Sequence, residues 1–159
     1  MDEAAAAAPA QRAPVTIEQM QELVGHAFPG GTFTIEHWEN TLFTEVMQSD
    51  PLPDGLAHPA YLFHAPLAGL GLGYGDIFML CHAESAEAIR AGEYQWEVIR
   101  PLRVGETYRM SGEITGVERK TGRRAGTMDL VSFRIDMHEA ASGLHAASVV
   151  NTWIFLRSV

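Results

Sequence analysis

Hydrophobic and polar residues are arranged along this chain in distinct ways, and each arrangement predicts a different element. In "ETYRMSGEITGVER", Tyr108, Met110 and Ile114 alternate with Arg109, Ser111 and Glu113, the two-residue period of a half-buried strand. Val131, Phe133, Ile135 and Met137 alternate likewise with Ser132, Arg134 and Asp136 in "GTMDLVSFRIDMHE". With "EYQWEVIR" and "LHAASVVNTWIFLR" these make four β-rich runs over roughly 93–157, separated by "PLRVG", "KTG" and "ASG". The last run is apolar on both faces, with Val149, Trp153 and Phe155 on one and Val150, Ile154 and Leu156 on the other. A strand buried twice predicts a second layer or a subunit interface.

From Pro59 to about Ala91 the chain is apolar nearly all round, which predicts a buried helix. Pro66 and the glycines at 69, 71, 73 and 75 divide it into two pieces with a Gly-rich joint. "GLGLGYG" follows a helical segment and lacks the lysine of a phosphate loop, so it does not predict nucleotide binding. Upstream, "TIEQMQELVGHAF" begins with a capping pair, Thr16 and Gln19, and places Ile17, Met20, Leu23 and Val24 on one helical face. "GGTFTIEH" predicts a short strand, and "HWENTLFTEVMQ" a helix on which Trp38, Leu42, Phe43 and Val46 share a face. That helix runs into the turn-rich "MQSDPLPDGLAHP", residues 47–59. The order is a short strand, a buried helix and a four-stranded antiparallel meander. It predicts an α+β fold, a sheet wrapped around a long central helix and continued by a second copy or a paralogue.

At 159 residues, this is a single domain over 16–159 behind a low-complexity, disordered tail at 1–15. A formal net charge of −9 argues against nucleic-acid binding, because phosphates would be repelled. Cys81 stands alone, so no internal disulfide is available and a reducing, cytoplasmic compartment is expected. No apolar run reaches membrane-spanning length, and "MDEAAAAAPAQRAP" lacks the pattern of a secretory signal. No membrane association is expected.

The segment "VIRPLRVGETYRMSGEITGVERKTGRRAGTMDLVSFRIDM" and the closing "NTWIFL" resemble the MaoC-like hot-dog hydratases. Within them the chain is most similar to the N-terminal, fatty-acid-synthase-type dehydratase branch, from about residue 30 to the end. The resemblance implies hydration of trans-2-enoyl thioesters, or dehydration of 3-hydroxyacyl thioesters, through a G-D-x-N-P-x-H loop and without a cofactor. In that chemistry the His acts as base on water, the Asp positions it, and a backbone N–H at the start of the central helix holds the enolate oxygen. Aligned on Pro51, Asp50 falls at the motif Asn, Gln48 at the Asp and Pro53 at the His. Pro59 takes the glycine position at the helix start and has no N–H to offer. By this resemblance the shell of the site remains and its acid/base pair is missing.

Asp54 and His58 are the fallback acid/base pair in the loop; their other reading is a turn Asp and a helix-start His. His64 and His82 read as core histidines bonded to backbone, and neither has the spacing of a zinc site, so no metal is expected. Asp76 and Glu84 occupy the region where hot-dog thioesterases carry an acid, although Asp76 also reads as a second helix N-cap. Arg119, Lys120, Arg123 and Arg124 crowd "ERKTGRR", where they could meet coenzyme A phosphates or be a solvated hairpin tip. Arg100 and Arg103 carry the same ambiguity, and His58 and Tyr61 are expected to line the acyl groove. Three functions fit: a non-catalytic subunit that shapes the acyl pocket beside a catalytic hot-dog paralogue, a self-sufficient hydratase or thioesterase, and an acyl-binding module without turnover. The ligand in each is an acyl-CoA or acyl-carrier thioester, and the subunit could be a heteromer or a homodimer, in lipid or steroid side-chain metabolism.

Overall fold

The computed structural model describes residues 14–157. The tail expected at 1–15 lies, except for its last two residues, outside the described residues. Val15 is fixed: its carbonyl accepts a bond from Arg119 Nη2 at 3.0 Å.

The first helix, α1 (Ile17–Gln21), opens with the capping box that Thr16 and Gln19 predict. It is shorter than its apolar pattern suggests, so Met20 is buried while Val24 beyond it is exposed. Strand β1 (Gly31–Thr34) follows, then α2 (His37–Val46), α3 (Tyr61–Ala68) and α4 (Tyr74–Leu80). The sheet is completed by β2 (Ile89–Val98), β3 (Thr107–Gly122), β4 (Gly126–Glu139) and β5 (His145–Arg157). The segment expected as a buried helix is two short pieces that break at the glycines, whereas Pro66 lies within α3; the all-round burial is corrected too, since α4 buries Ile77 and leaves Tyr74 and Met79 largely exposed. The chain leaves helix soon after Leu80, and β2 begins at Ile89. The glycine joint serves packing. A Cβ on Gly69 would stand 2.7 Å from Met110 Cγ, and Gly71, at φ 80°, turns against the carbonyl of Gly30.

The sheet is antiparallel in the order β1-β3-β4-β5-β2. This corrects the simple meander. β3, β4 and β5 are consecutive hairpin neighbours, but β2 crosses to the far edge and pairs with β5, leaving β3's other side to β1. The strand periods hold: Tyr108, Met110, Ile114, Val131, Phe133, Ile135 and Met137 are all buried, as are Val149, Trp153 and Phe155 of β5. Val150, Ile154 and Leu156 lie on the opposite face, half-buried. Tyr61, Leu62, Ala65 and Leu67 of α3 share one core with the inward-facing set, Trp153 and Phe155 included. Among the described residues, no helix is long and apolar enough to cross a membrane.

Helix α2 inverts its expected orientation. Trp38, Leu42 and Val46, one helical stripe, are 65%, 53% and 80% exposed, whereas Asn40 and Thr44 face inward. Only Phe43 of the predicted apolar face is directed to the core, stacked on Tyr61 at 4.7 Å.

Candidate functional site

The 47–60 loop is built by local backbone chemistry at its start. Gln48 N–H bonds to Glu45 O and Ser49 N–H to Thr44 O, both at 3.0 Å, with Gln48 at φ 52°. This is a Schellman cap with glutamine at the left-handed position usually given to glycine. The residue that the sequence resemblance sets at the motif Asp therefore ends a helix. A turn at Pro53–Gly55 follows, with Asp54 also left-handed at φ 58°.

The loop is then zipped onto the β2–β3 connection. Ala57 N–H donates to Leu102 O at 2.8 Å, Val104 N–H to Gly55 O at 2.9 Å, and Arg103 Nη1 to Asp54 O at 3.0 Å. Asp54 thus contributes its carbonyl to Arg103, and no hydrogen bond or ion pair joins its carboxylate to His58 among the described residues. The fallback pair is not assembled.

His58 sits at the start of α3, where Ala60 N–H donates to its Nδ1 at 3.1 Å. The next three amides are also occupied: Tyr61 N–H on His58 O, Leu62 on Pro59 O and Phe63 on Ala60 O, at 2.9–3.0 Å. Pro59 has no N–H. A helix start normally offers free amide donors to an anion; here none is left for a thioester oxygen. His58 Nδ1, already an acceptor, is likewise not free to take a proton from water through that nitrogen.

Tyr61 does not line an open groove, because it is 0% exposed and lies beneath α2. Its hydroxyl has no hydrogen-bond partner among the described residues. Burial, with the nearby Glu39 carboxylate adding to it, pushes the phenol up to about 12. His64 is not a core histidine. It is half-exposed, with Nε2 3.7 Å from Glu39 Oε1 and Phe33 edge-on to its ring at 5.3 Å. The Glu39–His64 couple spans α2 and α3 and could have been sought in the sequence only as an acid on one helix and a base on the next. His82 is not in the core either; it is exposed at φ 50°, capping α4 as Gln48 caps α2, while its carbonyl accepts from Arg157 Nη1 at 2.6 Å. Asp76 accepts the Gly73 N–H at 2.8 Å from the third position of α4, so Gly73 is the N-cap. Glu84 is exposed beyond that helix.

The basic hairpin separates into two parts. Arg119 is half-buried and held by the buried Asp129, with Nε–Oδ1 at 2.6 Å and Nη2–Oδ2 at 2.9 Å, and is not free to meet a phosphate. Lys120 pairs with Glu118 at 3.1 Å on the surface, and Arg123 and Arg124 stand exposed at the tip. β3 is 16 residues long, so this tip lies about 50 Å along the strand from the loop carrying His58. Arg100 and Arg103 are exposed at the loop end.

Sequence reading missed a polar network on the outer face of the sheet. Ser148 Oγ donates to Asp136 Oδ1 at 2.5 Å and lies 3.0 Å from His145 Nε2, while Arg134 bonds to both Asp136 and Ser148. The composition is that of a Ser–His–Asp triad, but the geometry is not. Asp136 Oδ1, 3.6 Å away, approaches the same ring nitrogen as Ser148, whereas a relay needs acid and nucleophile on opposite nitrogens. Among the described residues, no group of three or more His, Cys, Asp or Glu could hold a metal ion.

No protein-family model matches the chain, and no curated protein sequence does. Solved structures do. The ChsH1–ChsH2 complex from Mycobacterium tuberculosis contains a chain that superposes with a TM-score of 0.69 at 15% identity, over 91% of this chain and 95% of that one. A chain of the HadBC (3R-hydroxyacyl-ACP dehydratase) complex from the same organism gives 0.64 at 15% identity, over 85% and 98%. A MaoC-like dehydratase from Phytophthora capsici gives 0.59 at 14% identity, over 91% of this chain and 50% of that longer one. The fold of this chain is the hot-dog fold that these structures share.

Proposed function

We propose that the chain is the pocket-shaping, non-catalytic subunit of an (R)-specific trans-2-enoyl-CoA hydratase or 3-hydroxyacyl thioester dehydratase. It pairs through the free edge of β2 with a second hot-dog chain, a catalytically intact paralogue in the working enzyme. The observation that carries this reading is the closed start of α3. Pro59 offers no amide, Ala60 N–H is spent on His58 Nδ1, and Gln48 and Pro53 stand where an acid and a base are needed. Two of the similar structures are of heteromeric hot-dog complexes, which supports a paralogous partner.

The concave end of β2 is shaped for such a partner. Phe63 and Tyr94 pack at 5.0 Å, and Trp96 and Val98 beside them are 48% and 52% exposed on the helix-facing side. Co-expression with the partner is expected to give a complex whose hydratase activity depends on the partner's Asp and His. Ala60→Trp is expected to blunt that activity without abolishing it. Ordinary hydratase turnover by the isolated chain overturns the reading.

A second reading rests on the Glu39–His64 couple, in which the carboxylate orients Nε2 and the ring's other nitrogen acts as base, giving a hydratase or thioesterase of the chain's own. It requires that isolated-chain activity appear and that His64→Ala remove it. Binding of acyl-CoA without turnover, even beside a partner, would leave an acyl-binding module.

A further inference from the structure

The helical layer carries an apolar surface that the fold does not use. Helix α2 packs inward through Asn40, Phe43 and Thr44 and leaves Trp38, Leu42 and Val46 exposed. Apolar side chains exposed singly are ordinary; three aligned four residues apart are not. At about 100° per residue, the stripe is about 80° wide and about 12 Å long. Glu45 falls about 20° outside Trp38, and Glu39 about 20° outside Val46. Acid therefore borders the stripe on both sides, and Glu36 stands at the helix N-cap.

This border has no cation of its own. Residues 13–89 hold ten acidic residues and no Lys or Arg. Among the described residues, Glu36 and Glu45 form no ion pair, and Glu39 pairs with His64. Arg100 and Arg103 stand in the β2–β3 connection, where Arg103 bonds to Asp54 O beyond the helix. Arg109 of β3 points to the opposite face of the sheet, since Tyr108 and Met110 on either side of it are buried. The stripe is also remote from the β2 edge. Helix α2 follows β1, and its Phe43 stacks on the same Tyr61 of α3 that Phe33 of β1 approaches. Strands β1 and β2 are opposite edges of the sheet, and it is Phe63 of α3 that meets Tyr94 of β2.

We infer that the outer face of α2 docks a cationic amphipathic helix of a partner protein, with its apolar side chains against Trp38, Leu42 and Val46 and its Lys or Arg on Glu39 and Glu45. The inference does not depend on pairing at β2 or on catalysis by this chain. Side chains four apart form a ridge that fits the groove of another helix. A second copy of α2 would set Glu39 and Glu45 against their own counterparts. The phosphates of nucleic acid or of an anionic membrane meet the same acid. The N-terminal segment of the chain carries one basic residue, Arg12, and Val15 behind it is bonded at Arg119. That is twelve residues along β3 from Thr107, beside which β1 ends and leads into α2, a distance of about 40 Å.

The test is titration of the full chain with a labelled Leu/Lys amphipathic helix of about 18 residues and with its Leu/Glu counterpart, read by fluorescence anisotropy. Leu42→Ser/Val46→Ser is expected to weaken the Leu/Lys peptide about tenfold or more, while the native circular dichroism is kept. Glu45→Lys should weaken the same peptide and shift preference toward the Leu/Glu one, and added salt should narrow that difference. Met79→Ser, which removes an exposed apolar side chain from α4, should change neither.

Equal binding of the two peptides, no binding of the Leu/Lys peptide, or binding that survives Leu42→Ser/Val46→Ser overturns the inference. Self-association of the parent chain that this variant abolishes on sedimentation makes the occupant a second copy and overturns it. Uptake by zwitterionic vesicles that the variant abolishes makes the occupant a lipid surface, with the same result. Unfolding of the variant shows the stripe to be part of the fold, and the inference falls.

Discussion

Asp129 shows how far a single residue could be read. It falls in phase with Val131, Phe133 and Ile135, so the strand period places it facing inward, where a carboxylate needs a cation. Which cation was not legible, because Arg119 and Arg157 reach it only through the pairing of three strands. Burial alone would raise its carboxyl, but the hydrogen bonds from Arg119 and Arg157 outweigh this and hold it below the ordinary carboxylate value. A depressed carboxyl contributes stability that is present above the unfolded-state pKa and is lost as pH falls through the folded one. Asp129→Asn keeps the shape and leaves two guanidiniums uncompensated, so it is expected to cost about 3–5 kcal/mol in a denaturant titration. It should also flatten the acid limb of the stability profile. A loss below about 1 kcal/mol would mean that the ion pairs are not what joins β5 to the end of α4. The neighbouring Cys81 thiol is pushed up to about 12, chiefly by burial, so the native chain should resist a thiol reagent at pH 8 while the unfolded chain reacts at once.

Elements were legible where the hydrophobic period had a partner within the same chain, and misleading where it did not. The alternation in β3 and β4 gave the correct faces because α3 and the sheet bury them. The stripe of Trp38, Leu42 and Val46 has the same regularity, yet faces outward, because Phe43, Asn40 and Thr44 are what α2 packs inward. Helix ends were hidden for a separate reason. α2 and α4 end on left-handed Gln48 and His82, where glycine would have marked the stop. That geometry predicts an order of stability. Gln48→Gly should be at least as stable as the parent, and Gln48→Val, β-branched at φ 52°, less stable by about 1–2 kcal/mol in thermal or denaturant unfolding. Equal stability of the glycine and valine variants would show that the cap relaxes out of the left-handed region.

At the scale of the whole molecule, strand order was the least legible property, and it is the one on which assembly depends. Nothing local in "IRAGEYQWEV" says that β2 will cross to β5 instead of lying beside β3, because that choice is made by β1 claiming β3's edge through pairs such as Phe33 with Tyr108. The crossing leaves a ten-residue strand on the outside of the sheet. An unpaired edge is ordinarily blunted by proline, lysine or shortness; β2 has no proline and no lysine and is one of the longer edges a domain exposes. Beside it, Trp96, Val98 and Ile99 hold apolar surface open next to Phe63. The single chain gains little from these side chains, since about half of each is still in water, so replacing them should barely disturb the isolated fold. Trp96→Lys/Val98→Lys is therefore expected to keep the native circular dichroism while converting a sedimenting dimer, of two copies or with a paralogue, to monomer. Two lysines from each chain would then face each other across the joined edge, adding like-charge repulsion to the lost apolar burial. A dimer that survives this double substitution must be held by another surface, with the Trp38, Leu42 and Val46 stripe of α2 the next to alter.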